Sequence, residues 1–254
     1  MPTSHGAKWF IRSHPRPGAT LRLFCFPYAG GAATIYHRWA NQMPPTVELI
    51  PVELPGRGRR LNEPPIRQMP ALIEALTPMI IPLLNAKFAL FGYSLGAILA
   101  FELARELRRR NAPPPERLFA SARRAPQIPD RSPITYNLPD EEFRAELLRL
   151  NGTPIAVLEE DELMNLMGPA IRADFEMIQS YEYDDDAPLS CPLTVYGGLQ
   201  DDEETRALLS AWRQQTNAEF SLHMLPGDHF FIRSASHLLL DLLRRELLRI
   251  TIAR

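Results

Sequence analysis

The stretch Phe88–Gly96, FALFGYSLG, decides the fold, because an apolar run enters a Gly-x-Ser-x-Gly turn. Apolar residues recur at helical spacing beyond the turn, so the pattern predicts a strand at Phe88–Phe91 and a helix at Leu95–Arg110. A serine on such a sharp strand-to-helix turn stands above the carboxyl edge of a sheet, where the helix N-terminus stabilises negative charge. Ser94 is therefore the candidate nucleophile.

Runs rich in β-branched and aromatic residues alternate with helical patterns on both sides of this turn. The further predicted strands are Lys8–Ile11, Leu21–Phe26, Val47–Val52, Leu118–Ser121, Leu193–Tyr196 and Phe220–Leu225. The further predicted helices are Thr34–Gln42, Ile66–Leu84, Glu203–Gln215 and Ser236–Ile250. Pro78 and Pro82 are expected to kink or interrupt the helix that contains them. The alternation predicts an α/β fold with a mainly parallel central sheet and helices on both faces.

The region from about 126 to 188 breaks the alternation, because it has helical patterns and no predicted strand. Its predicted helices are Asp140–Leu150, Glu159–Met167 and Pro169–Tyr181. We interpret this region as a helical lid inserted over the carboxyl edge of the sheet. With the Gly-x-Ser-x-Gly turn, the pattern predicts an α/β-hydrolase fold that forms a single domain over residues 1–254.

Composition and charge exclude several classes of protein. The chain has 254 residues, of which 45% are apolar and 23% charged, as in ordinary globular domains. A net charge of -2 disfavours binding to nucleic acid. The N-terminal sequence has no signal-peptide core, and no apolar run is long enough for a membrane span. Two cysteines are too few for a disulfide framework, so a cytoplasmic location is expected.

A serine nucleophile needs a histidine base, which follows the nucleophile and the acid in the chain order of α/β hydrolases. His5, His14 and His37 precede Ser94 and do not fit that order. His223 lies inside a predicted strand and His237 begins a predicted helix, where structural roles are more common. His229 follows the last predicted strand in the loop sequence GDHFF, so it is the candidate base.

The acid is expected after an earlier strand. Leu193–Tyr196 leads into the sequence GGLQDDEE, where acidic residues could also serve only to cap a helix. We expect either Asp201 or Asp202 to orient His229, and Asp201 is the first choice. Asp228 is interpreted as a loop residue.

The second donor of an oxyanion hole is expected in the turn PYAGGA, residues 27–32, after the strand Leu21–Phe26. The candidate donors are the backbone N–H groups of Ala29 and Leu95, with Tyr28 as the alternative to Ala29. The histidines lack the spacing of a metal-ligand set, so no metal is expected.

Six motifs occur together between about Leu21 and Leu248: PYAGGAATIY, ELPGRGRR, GYSLG, GPAIRADF, YGGLQDD and GDHFF. This set resembles the type II thioesterases of polyketide, non-ribosomal peptide and fatty acid synthesis. The resemblance implies that Ser94, Asp201 and His229 form a catalytic triad beside an oxyanion hole made by the backbones of Ala29 and Leu95. It also implies hydrolysis of acyl groups, stalled or aberrant, from the phosphopantetheine arm of acyl or peptidyl carrier proteins, without a cofactor.

Some alternatives stay open at this point. The family often has proline after the catalytic acid, whereas this chain has Asp202 there. Arg57, Arg59 and Arg60 could contact the pantetheine phosphate or an acidic carrier helix, or could form a structural ion-pair cluster. A free-standing esterase or peptidase acting on small soluble substrates is the main rival function. A binding protein of the same fold would be expected to lack members of the triad. We expect a monomer.

Overall fold

The computed structural model describes residues 6–252, and a parallel sheet of six strands forms its centre. The strands are Leu21–Phe26 (β1), Val47–Pro51 (β2), Lys87–Tyr93 (β3), Leu118–Ser121 (β4), Leu193–Gly198 (β5) and Phe220–Leu225 (β6). Their order across the sheet is β2-β1-β3-β4-β5-β6. The strand order reverses between β1 and β3, and open parallel sheets bind ligands at such a point. His5 lies outside the described residues.

Helices connect the strands and also form an insert between β4 and β5. The α-helices are Gly6–Trp9 (α1), Met69–Ile80 (α2), Leu95–Arg109 (α3), Asp140–Leu150 (α4), Ile155–Glu159 (α5), Asp161–Gln179 (α6), Arg206–Ser210 (α7), Phe231–Ser234 (α8) and Ser236–Ile252 (α9). The 3-10 helices are Ala33–Gln42, Gly58–Arg60, Ile81–Leu83 and Ala211–Gln215. No helix within residues 6–252 is long and apolar enough to cross a membrane.

The sheet buries both of its faces, because side chains alternate along each strand. On one face Phe24 and Leu90 pack with apolar residues of α2 and α3. On the other face Leu23 and Phe91 pack with the 3-10 helix Ala33–Gln42 and with α9. Full burial of one such side chain contributes about 1.5–3 kcal/mol. This two-sided core explains why the strands read as nearly continuous apolar runs.

The helical insert has an apolar cluster of its own, which α4, α5 and α6 share. Its buried members are Phe143, Leu147, Leu158, Met164 and Ile171. Ile171 also packs against the turn that follows β1, since a Cβ atom added at Gly30 would lie 3.2 Å from its Cγ1 atom. Helix α6 therefore links the insert to the carboxyl edge of the sheet.

The insert corrects one sequence-based expectation. The predicted helices Glu159–Met167 and Pro169–Tyr181 are largely one continuous helix, α6, with Pro169 in its interior. An interior proline costs about 3 kcal/mol through a lost hydrogen bond and a steric clash. Buried residues on both sides of it, including Met164 and Ile171, offset that cost by packing into one cluster. By contrast, α2 ends at Ile80 and a 3-10 helix that contains Pro82 follows, as the sequence predicted, whereas Pro78 lies inside α2 without ending it.

Three other predicted elements also differ. The predicted strand Lys8–Ile11 is wrong: α1 extends to Trp9, and Phe10 forms a single antiparallel bridge with Val52. Its apolar residues are buried by packing rather than by membership of the sheet. The predicted helix Thr34–Gln42 is a 3-10 helix beginning at Ala33. The predicted helix Glu203–Gln215 begins only at Arg206, because the acidic residues before it form a turn.

Candidate active site

Ser94 occupies the turn between β3 and α3 with the backbone angles φ 53° and ψ −116°. A non-glycine residue at positive φ is strained, and such strain persists where the surrounding structure enforces it. Here the enforcement is close packing: a Cβ atom at Gly92 would collide with the Gly96 carbonyl, and one at Gly96 with the Phe26 carbonyl. The Ser94 N–H also donates to the carbonyl oxygen of Ser121 at 2.8 Å.

His229 lies in the loop after β6, with its Nε2 atom 3.2 Å from the Ser94 Oγ atom. The buried Tyr93 hydroxyl donates to the backbone carbonyl of His229 at 2.6 Å and accepts from the Ile232 N–H at 3.2 Å. The rings of Tyr93 and Phe230 pack edge-on against the imidazole. These contacts fix both the backbone and the ring of His229 beside the serine.

Asp201 lies in the turn after β5, with its Oδ2 atom 2.9 Å from the Nδ1 atom of His229. Its Oδ1 atom accepts the backbone N–H groups of Glu203 and Glu204 at 3.1 and 3.0 Å. Burial raises the pKa of this carboxyl, but the bond with His229, its charge and the two N–H groups together lower it below its usual value. Asp202 is exposed, so the structure brings Asp201 rather than Asp202 against the imidazole.

The turn after β1 faces this constellation. Ala29 and Leu95, the two candidate backbone donors, line the same cavity as Ser94 and His229. Leu95 is the first residue of α3, so its N–H lies at the positive end of that helix. Tyr28 also lines the cavity, and its hydroxyl accepts a hydrogen bond from Arg233 at 2.9 Å.

The arginines of the ELPGRGRR motif do not behave as one docking cluster. Arg57 is buried and forms an ion pair with Asp174 of α6. Arg60 is also buried, lies over the Trp9 ring and pairs with Glu63. Of the two alternatives left open for these arginines, the structure supports the ion-pair cluster for Arg57 and Arg60, because structural contacts already use their charges. Within the motif, Arg59 is exposed.

A family model described as a thioesterase domain matches residues 21–247 of the chain. The solved structure of the type II thioesterase BorB from the borrelidin biosynthetic cluster superposes with a TM-score of 0.88 at 34% identity, covering 96% of this chain and 99% of BorB. The chain belongs to the type II thioesterase family.

Two curated relatives of this thioesterase have names that refer to gramicidin. The gramicidin S biosynthesis protein GrsT of Aneurinibacillus migulanus is 42% identical over 94% of this chain and 94% of its own length. A protein of Brevibacillus parabrevis named linear gramicidin dehydrogenase LgrE is 41% identical over 95% of this chain and 93% of its own length. The similarity to both therefore covers nearly the whole thioesterase.

The cavity of the thioesterase that contains Ser94 has a volume of about 490 Å³. The insert supplies part of its wall through Leu147 and Phe175, and the triad candidates form another part. A second cavity, of about 550 Å³, lies between α2, α3 and the end of α6 and is not lined by Ser94 or His229. The cavity that contains Ser94 is therefore the candidate substrate site.

Sequence reasoning missed a buried acid beside the candidate triad of the thioesterase. Glu204 is 2% exposed and pairs with Arg123 and Arg124, both at 3.2 Å. Burial raises the pKa of Glu204, and the two arginine charges only partly offset this effect. The acid run 201–204 thus provides both a partner for His229 and an anchor for the turn after β4. No sequence signal separates these two acids, because both precede a helix.

Proposed function

We propose that this thioesterase hydrolyses acyl groups from the 4′-phosphopantetheine arm of acyl or peptidyl carrier proteins and so removes aberrant or stalled units. The names of its relatives support a place in polyketide or non-ribosomal peptide synthesis: GrsT is named for gramicidin S biosynthesis and BorB for the borrelidin cluster. Ser94 is the nucleophile, His229 the base and Asp201 the residue that orients the base.

The main support for the proposal is a continuous chain of hydrogen-bonding contacts between side chains at the cavity wall. The Oγ atom of Ser94 lies 3.2 Å from Nε2 of His229, whose Nδ1 atom lies 2.9 Å from Asp201. This is the hydrogen-bonded order that activates a serine hydroxyl. A binding protein of this fold would have no need to keep all three groups aligned.

Acylation follows from this geometry. The Ser94 oxygen attacks the thioester carbonyl carbon while His229 takes the hydroxyl proton at Nε2. The resulting oxyanion accepts the N–H groups of Ala29 and Leu95, which stabilise the developing charge. The C–S bond then breaks, the acyl group stays on the serine oxygen, and the pantetheine sulfur leaves as a thiolate that takes the proton from His229.

Deacylation uses the same groups with water in place of serine. His229, neutral again, removes a proton from water, and the hydroxide attacks the acyl-enzyme carbonyl. Collapse of the second tetrahedral intermediate returns the proton to the Ser94 oxygen and releases a carboxylic acid. The charged Asp201 stabilises the imidazolium that forms in each half-reaction. The chemistry needs neither a metal nor an organic cofactor.

The proposal also covers the organisation of the chain. Residues 1–254 act as one α/β-hydrolase domain, and the insert at about 126–188 acts as a lid over the cavity. Asn151 and Gly152 of the insert accept hydrogen bonds from Arg233, which supports contact between this lid and the site wall. The monomeric state and the cytoplasmic location expected from the sequence stay predictions.

LgrE is named a dehydrogenase, so hydride transfer is a second activity to consider for this chain. Dinucleotide-binding turns of parallel sheets use a Gly-x-Gly-x-x-Gly sequence after the first strand. The turn after β1 in this chain reads PYAGGA, residues 27–32, and does not have that pattern. The turn sequence therefore favours acyl transfer over a dehydrogenase activity.

A substrate comparison tests the proposal. One acyl group is presented on a carrier protein, on coenzyme A and as a simple oxygen ester, and kcat/KM is measured for each. We expect the carrier-bound thioester to react fastest, because the partner adds binding that the small substrates lack. A preference for the oxygen ester would support the rival esterase function. The Ser94→Ala variant, run in parallel, gives the background rate.

A further inference from the structure

We propose that the buried ion pair between Arg57 and Asp174 is a positioning device that holds the oxyanion turn after β1. Through this pair, α6 of the insert sets the orientation of the Ala29 N–H group. The inference rests on the proposed function, because it requires Ala29 to stabilise the oxyanion.

The contacts connect three distant parts of the chain. The Arg57 guanidinium donates to both oxygens of Asp174, at 2.5 and 2.8 Å. Asp174 in turn accepts the backbone N–H of Gly30 at 2.7 Å. Arg57 also donates to the carbonyl oxygen of Gly31 at 3.2 Å. One ion pair therefore holds an N–H and a C=O group of the two residues that follow Ala29.

This turn needs external support. Gly30 has φ +76°, and two consecutive glycines give the backbone wide conformational freedom. Within the turn itself, the Gly31 N–H donates to the Tyr28 carbonyl at 2.8 Å. Ile171, one helical turn before Asp174, packs against Gly30. Helix α6 thus contacts the turn through both an apolar and a charged side chain.

Stability alone does not account for a pair this deeply buried. Asp174 is 1% exposed and Arg57 is 7% exposed. Burial lowers the pKa of Arg57, but the charge and hydrogen bonds of Asp174 raise it above its usual value, so the guanidinium stays charged. Replacing a buried ion pair by apolar residues is often neutral or stabilising. What an apolar pair cannot do is hold the Gly30 and Gly31 polar groups in place.

Two variants test the inference. Asp174→Asn keeps an oxygen for the Gly30 N–H but loses the charge that anchors Arg57. The double variant R57M/D174M removes all the polar contacts that this pair makes to the turn and puts apolar side chains in their place. The matched control is Glu176→Gln, which breaks another arginine–carboxylate pair of α6, to Arg67, without touching the turn.

The measurements distinguish a role of the ion pair in positioning the oxyanion turn from a general role in stabilising the fold. We determine kcat and KM on an acyl-pantetheine thioester, and the affinities for two inhibitors with the same acyl chain. A trifluoromethyl ketone adds to Ser94 and places an oxyanion in the hole, whereas a thioether analogue forms no adduct.

Removal of one oxyanion donor costs about 100- to 1,000-fold in kcat, so its misplacement should cost about 10- to 100-fold. We expect both test variants to lose kcat and ketone affinity by that factor, with KM and thioether affinity nearly unchanged. Glu176→Gln should match the wild type. Equal losses for the two inhibitors, or a wild-type kcat in a folded variant, would overturn the inference; if the double variant does not fold, Asp174→Asn decides alone.

The Ser94→Ala variant keeps this outcome separate from the proposed function. If Ser94→Ala retains hydrolysis, the proposed function itself is wrong. If Ser94→Ala is inactive while the Arg57 and Asp174 variants keep the wild-type kcat, only the positioning role is wrong.

Discussion

Replacement of Asp201 by asparagine isolates the role of one carboxylate oxygen. In Asp201→Asn the remaining side-chain oxygen can still accept the N–H groups of Glu203 and Glu204, as Oδ1 of the aspartate does. The new NH₂ group then takes the place of Oδ2 and donates to Nδ1 of His229. The imidazole must carry its proton on Nε2, so it can no longer accept the proton of Ser94.

The expected loss is kinetic and specific. A wrong tautomer costs up to about 10⁴-fold in kcat, which corresponds to about 5 kcal/mol in the barrier. The free energy of unfolding should change by less than about 1 kcal/mol, because the hydrogen bonds from the Glu203 and Glu204 N–H groups remain. Single-turnover hydrolysis of an acyl-pantetheine thioester and urea unfolding measure the two quantities.

The adjacent exposed residue provides the control. Asp202→Asn should keep kcat within about twofold of the wild type, as is usual for a surface substitution. If Asp201→Asn kept more than a tenth of the wild-type kcat, the orienting role would be refuted. A larger loss for Asp202→Asn than for Asp201→Asn would assign that role to the neighbouring residue.

Three further predictions concern stability and partner binding. Burial raises the pKa of Asp130, but nearby arginine charges and hydrogen bonds lower it to about 2. The charged Asp130 should therefore contribute about 2 kcal/mol to the free energy of unfolding at pH 7, and this contribution should be lost as the pH drops from 4 toward 2. The difference in urea unfolding between the wild type and Asp130→Asn should shrink over that range. Gly96→Ala should cost at least about 1–3 kcal/mol, because its Cβ atom meets the Phe26 carbonyl, whereas Gly18→Ala, with no atom within 4 Å, should be nearly neutral in thermal unfolding. On acyl-carrier protein, kcat/KM should fall between low and high salt, and Arg59→Glu should lower it at low salt; an equal salt response with a neutral small thioester would argue against electrostatic docking.

Local patterns sufficed for the elements that bury a continuous apolar surface. Leu21–Phe26 has the predicted bounds, since its run matches a strand covered on both faces. Phe220–Leu225 also has the predicted bounds, although this strand lies at the edge of the sheet and is only partly buried. The Gly-x-Ser-x-Gly pattern carried equally clear information, because close strand–helix packing requires glycine at both of its ends. Trp9 and Phe10 misled the prediction, since their pattern does not distinguish a strand from aromatic residues that pack against the core outside the sheet.

The spacing of residues in the sequence cannot predict which distant side chains pair in the fold. Arg57 and Asp174 are 117 residues apart, and no local pattern marks them as partners. The Tyr93 hydroxyl reaches the His229 carbonyl across 136 residues. Pro169 shows the converse case, because a strong local signal for a helix end is overridden by packing on both sides. The meeting of Ser94, Asp201 and His229 at one edge of the sheet was therefore easier to predict from motif order than the contacts that hold these residues.

The central claim is that a carrier-bound acyl group is transferred to the Ser94 oxygen before water releases it. Intact-protein mass spectrometry after rapid acid quench of the enzyme with acyl-carrier protein tests it directly. The account predicts an adduct with the mass of the acyl group, located on the peptide that contains Ser94 and absent from Ser94→Ala, whose hydrolysis falls at least about 10³-fold. Hydrolysis by Ser94→Ala at the wild-type rate, with no adduct on either protein, would contradict it.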